Sequence, residues 1–155
     1  MRVALCFHGI ASGTNQQQNQ NIFVNFKDAV PYFLDNIINI NDEVDVFVHT
    51  WGTDEWADAW GVGAKEEIEE VYKPKLSKYQ EPIFPNFKHP YSHFNFENNV
   101  QRKIQGIYSR WHSFKEVINL KTQYEKENNF LYDCVMVCRF DLVFYRPIIF
   151  SRLDM

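Results

Sequence analysis

Three short apolar runs, separated by stretches of helical periodicity, organise the chain. Residues 2–7 (RVALCF) are almost continuously apolar, which suits a strand covered on both faces. Residues 44–49 (VDVFVH) and 132–138 (YDCVMVC) repeat that character. Between the first two runs, Val30, Phe33, Leu34, Ile37 and Ile38 recur at three and four residues, predicting an amphipathic helix within 25–38. Pro31 is costly in a helix interior, so the helix is expected to begin near Val30 with the proline in its first turn. Residues 65–71 predict a short helix, and the proline at 74 then enforces an extended exit. A long helix is predicted over about 97–127, with Val100, Ile104, Ile107, Tyr108, Trp111, Phe114 and Ile118 along one face.

The connections carry their own signals. Residues 8–14 (HGIASGT) read as a loop, because small and polar residues directly follow a buried strand. The Gln/Asn-rich tract 15–21 reads as solvated loop, and 55–60 as a loop or short helix. Residues 80–95 hold three prolines among aromatics and read as irregular. A further short strand is expected at 142–145, ahead of Pro147.

Buried strands alternating with helices predict one α/β domain over residues 1–155. Its sheet should be mostly parallel, Rossmann-like, with helices on both faces. The length fits one domain, and at 45% apolar and 23% charged residues the chain should bury a real core. With 14 Phe, 8 Tyr and 4 Trp, much of that core must be aromatic. The net charge of -4 argues against a duplex nucleic-acid partner. No apolar run approaches the roughly 18 residues that span a bilayer. The three cysteines, Cys6, Cys134 and Cys138, all lie in apolar runs and read as core thiols, which suits a reducing, cytoplasmic setting.

In parallel sheets ligands bind beyond the carboxyl ends of the strands. That rule selects residues 8–14, 49–51 and 139–141. Arg139 and Asp141 share a strand face, so they can serve a phosphorylated ligand, Asp141 through a divalent cation and Arg139 by forking onto phosphate. A plain Arg–Asp ion pair is the alternative. The loop after the first strand offers backbone N–H groups, with His8, Gly9 and Ser12, but lacks the Walker and dinucleotide fingerprints. Trp51 can stack on a base or sugar, while His112 reads as a surface histidine.

Together, MRVALCFHG, DVFVHTW and the stretch SRWHSFKEVINLKTQYEKENNFLYDCVMVCRFDLVF resemble a group of viral, phage and bacterial glycosyltransferase-like proteins. The resemblance covers most of the chain and is weakest over 52–95. It implies a GT-A-like fold, a nucleotide-sugar donor and a glycan or protein acceptor. It also implies manganese or magnesium held by an Asp-x-Asp motif, and a cytoplasmic setting that includes virus- or phage-infected cells. By position, His8, Gly9 and Ser12 match the first nucleotide loop, and Thr50 and Trp51 the loop after the second strand. Asp141 matches the second acid of the metal motif, and Arg139 stands where the first acid would be. The resemblance leaves the catalytic residues unassigned. The chain stops 14 residues after Asp141, shorter than full glycosyltransferase domains of this kind. A non-catalytic structural or interaction module on the same fold, such as a virion or host-interaction protein, is the alternative reading.

Overall fold

The computed structural model describes residues 1–17, 20–52, 64–81 and 98–153. Strands β1 (Arg2–Gly9), β4 (Glu43–Trp51), β5 (Leu76–Gln80) and β6 (Cys134–Arg139) form one parallel sheet in the order β5-β4-β1-β6. The α/β reading therefore holds. From β1 the chain moves outward through β4 to β5, then returns to the other side of β1. The strand order reverses between β1 and β6, and such a point opens a crevice at the carboxyl ends.

Residue alternation along the strands decides which helix covers which face. Val3, Leu5, Phe7, Val46 and Val48 pack on one face with Phe33, Ile37, Ile68 and Tyr72. These come from α1 (Val30–Phe33) and the wider turn Leu34–Ile38 that continues it, and from α2 (Lys65–Tyr72). Ala4, Cys6 and Phe47 face the other way, onto Val117 and Tyr124 of α3 (Asn98–Asn128). Pro31 lies in the first turn of α1, where it removes no helical hydrogen bond.

Three expectations are corrected, and one strand was not expected at all. Much of the Gln/Asn-rich tract is not loop but a hairpin, in which β2 (Ser12–Gln17) pairs antiparallel with β3 (Gln20–Asn25). Its ladder is made by backbone groups, which need no apolar signature. Strand β5 has no sequence counterpart: LSKYQ is a short edge strand with no β-branched residue. Residues 142–145 form no strand. There the backbone turns to the Leu34–Ile38 turn instead, with the Phe144 carbonyl accepting from Asn36 Nδ2 at 2.6 Å and the Ile148 N–H donating to the Asn36 carbonyl at 2.8 Å. Finally, α3 buries a face rotated from the predicted stripe, so Ser113 and Val117 are fully buried while Ile107 and Trp111 are about 60% exposed. The readings for 55–60 and most of 80–95 fall outside the described residues.

β1 ends on Gly9, whose φ is +102°, and β4 is followed by Gly52 at +116°. An added Cβ at Gly9 would meet nothing within 4 Å, so only the backbone conformation resists substitution there. Gly9→Ala is expected to lower stability by about 1–2 kcal/mol without repacking, measurable by urea denaturation with an unchanged m-value.

Candidate functional site

The parallel register sets four side chains in one row across the carboxyl end of the sheet. His49 pairs with Lys78 on one side and His8 on the other, and His8 pairs with Arg139. In-register residues of neighbouring strands share a face, and this row lies on the face covered by α3. Two residues further on, Gln80 and Trp51 form a second, shorter row. The turns of α3 that carry His112, Ser113 and Glu116 lie over both.

Ser113 fastens helix to sheet. Its buried Oγ accepts from the Gly9 N–H at 2.8 Å and lies 2.7 Å from His49 Nδ1 and 3.4 Å from the His49 carbonyl oxygen. Two proton arrangements satisfy these atoms. In one, the hydroxyl donates to Nδ1 and the Nε2–H of His49 points to Gln80 Oε1, 3.3 Å away. In the other, Nδ1–H donates to Oγ, the hydroxyl donates to the carbonyl oxygen, and Nε2 presents its lone pair, which Gln80 can meet only by turning its amide NH2 toward it. His49 is fully buried, and burial pushes its pKa down to about 4, leaving the imidazole neutral at physiological pH.

Around this pair the groups converge. His112 stacks on Tyr108 and meets Trp51 at a tilt, with ring centroids 5.9 and 5.4 Å away, and His49 meets Trp51 edge-on at 5.2 Å. His112 Nε2 is buried without a hydrogen-bond partner. Glu116, one turn on, pairs with Lys78, and that hydrogen bond holds its carboxyl below the usual range. One donor atom each from His49, His112 and Glu116 can be chosen so that all lie within 4.8 Å of one another.

The predicted site residues divide. His8, Gly9, Trp51 and Arg139 do gather at the α3-covered carboxyl end. His8 is buried, its Nδ1 has no partner, and burial followed by the charges of Arg110 and Arg139 lowers its pKa. Thr50 lies inside β4, buried, and alternation turns its side chain away from that face; its Oγ1 donates to the Trp51 carbonyl at 3.3 Å. Ser12 opens the hairpin and pairs with Asn25. Arg139 donates to both carboxylate oxygens of Asp141, from Nε to Oδ1 at 2.8 Å and from Nη2 to Oδ2. From sequence, His49 is selected only as part of the strand-end segment 49–51, Ser113, Glu116 and Gln80 are passed over, and His112 is placed on the surface. The signal for the helix part was the His-x-x-x-Glu spacing, which puts two potential ligands on one helix face.

No family model, curated protein or solved structure matches the chain. Fold and geometry together define a parallel α/β domain whose polar residues collect at the carboxyl ends of β4, β1 and β6. No helix among the described residues is long and apolar enough to cross a membrane.

Proposed function

We propose that this chain is the donor-binding part of a glycosyltransferase, which moves a sugar from a nucleotide diphosphate to a glycan or protein hydroxyl. One observation carries the reading: Arg139 stands beside His8 and Gly9 at the point where the strand order reverses. There the guanidinium can fork onto a diphosphate by giving up its bidentate pair with Asp141, and the positive-φ turn at Gly9 leaves room for a ligand to approach the backbone. The resemblance of the three segments supports the same class of donor. As the sugar leaves, charge grows on the nucleotide diphosphate, and Arg139 is the group placed to stabilise it.

The manganese or magnesium ion that the resemblance implies does not fit Asp141 as it stands. Hard cations gather several oxygen ligands, whereas Asp141 is one carboxylate with both oxygens already on Arg139. On this reading the charge on the diphosphate falls to Arg139, which exchanges Asp141 for the ligand.

The test is thermal unfolding against UDP, GDP, CDP and their sugars, each in EDTA and in manganese. A nucleotide at about one hundred times its Kd should stabilise by about 2.7 kcal/mol. That shift should persist in EDTA and vanish in Arg139→Ala. Silence across the whole panel would overturn the reading and favour the non-catalytic interaction module.

A further inference from the structure

The geometry points to a metal site that is separate from the predicted carboxylate motif: His49, His112 and Glu116 bind a divalent first-row transition ion of the zinc class. Three observations meet there. The donor atoms lie within 4.8 Å of one another. His112 Nε2 is a buried nitrogen with nothing to bond to, a state that costs free energy unless something occupies it. Ser113 Oγ engages Nδ1 of His49, which leaves Nε2, 3.3 Å from Gln80 Oε1, as the nitrogen available to an ion.

Two imidazoles and a carboxylate suit zinc, cobalt or ferrous iron better than magnesium or calcium, which take all-oxygen sites. Tetrahedral bonds of about 2.0–2.1 Å put donor atoms roughly 3.3 Å apart, so the three must close in by somewhat more than 1 Å. Side-chain rotation supplies this at His112 and Glu116, the two half-buried members. His49 need not move.

The surrounding contacts are those that orient metal ligands. A ligating histidine usually donates its other ring N–H to an oxygen, and Ser113 Oγ is positioned to accept from Nδ1. In that tautomer the hydroxyl still satisfies Gly9 and the His49 carbonyl. Glu116 has two oxygens, so one can stay with Lys78 while the other turns to the ion. Gln80 Oε1, next to His49 Nε2, adds a neutral oxygen at the edge of the site. Three protein ligands leave a coordination position open, the pattern of catalytic rather than structural zinc. The cysteines take no part: Cys6 and Cys138 are buried, and the only described cluster of three candidate ligands is this one.

This inference does not depend on the nucleotide-sugar reading, and it is tested with metal alone. The chelator-treated protein is titrated with Zn2+ while its melting temperature is followed, and with Co2+ while its visible d–d absorption is followed. One equivalent of Co2+ should give the intense bands of a four- or five-coordinate site, and Zn2+ should raise the melting temperature and displace Co2+. His112→Ala should weaken binding at least 100-fold and Glu116→Gln at least 10-fold. Both substitutions fall on half-buried helix positions, and far-UV circular dichroism confirms that each variant is folded. Cys134→Ala should bind as the parent does. No Co2+ bands in the parent protein, or unchanged affinity in both His112→Ala and Glu116→Gln, would overturn the site.

Discussion

Truncating Phe7 to alanine should lower the unfolding free energy by about 3–5 kcal/mol, among the largest losses any single substitution in this chain can cause. Phe7 is fully buried in the central strand. Its ring centroid lies 4.7 Å from Phe33, 4.8 Å from Tyr72 and 5.0 Å from Phe140. One side chain therefore joins α1, α2 and the end of β6 across the sheet face. Aromatic pairs of this kind contribute beyond the area they bury, so the loss belongs at the upper part of the range. For a chain of this length each kcal/mol corresponds to roughly 2–4 °C, and the melting temperature should fall by at least about 6 °C. Phe7→Leu, which keeps most of the volume, should lose much less. Urea denaturation of both variants checks the contrast; a negligible loss in Phe7→Leu would mean that the aromatic contacts add nothing beyond the volume they fill. Phe140 separates Arg139 from Asp141 in sequence and is itself fully buried, so the same packing holds the predicted phosphate-binding pair at the strand end.

The fold was legible where burial wrote it into the sequence. β1 and most of β4 are covered on both faces, and these strands and the half-buried edge strand β6 each show as a run of apolar residues. α1 and α2 follow from periodicity with a proline in the expected place. What escaped reading was held by groups that leave no apolar trace. The β2–β3 hairpin rests on backbone pairing between Gln/Asn-rich segments, and β5 is an edge strand carrying Ser, Lys and Gln. The rotation of α3 is the instructive miss. Periodicity favours the stripe through Ile107 and Trp111, yet the helix turns Ser113 to the sheet, because Gly9 and His49 need a hydroxyl between them. A polar side chain required in the interior reads, in sequence, as an interruption of the core.

The candidate site shows the same effect. Arg139 and Asp141 were visible as a pair because both follow one strand, and their ion pair was a stated alternative. His49 was visible as a strand end, but its partners come from a helix more than sixty residues away in sequence. No spacing rule spans such a distance. Only the topology, which returns α3 across the face shared by β1 and β4, brings His112, Ser113 and Glu116 to it.

Ser113→Ala tests that topology and the metal inference together. The substitution removes one acceptor from the Gly9 N–H and the partner of His49 Nδ1, both in a buried setting. Each polar group left unsatisfied costs about 1–3 kcal/mol, so the variant should lose roughly 2–6 kcal/mol when denatured in EDTA. Alanine fills most of the serine volume, so little of that loss can come from packing. The second readout is Co2+ affinity. Without the oxygen that accepts Nδ1–H, the imidazole loses the contact that fixes its tautomer and ring plane, and affinity should fall about 10- to 100-fold. The two readouts separate two roles for one hydroxyl. A loss of stability with unchanged affinity would make Ser113 a clip between α3 and the end of β1 and nothing more. A loss of both would mean that the interaction locking the helix onto the sheet also aims His49 at the ion, so that completing the fold and preparing the site are one event.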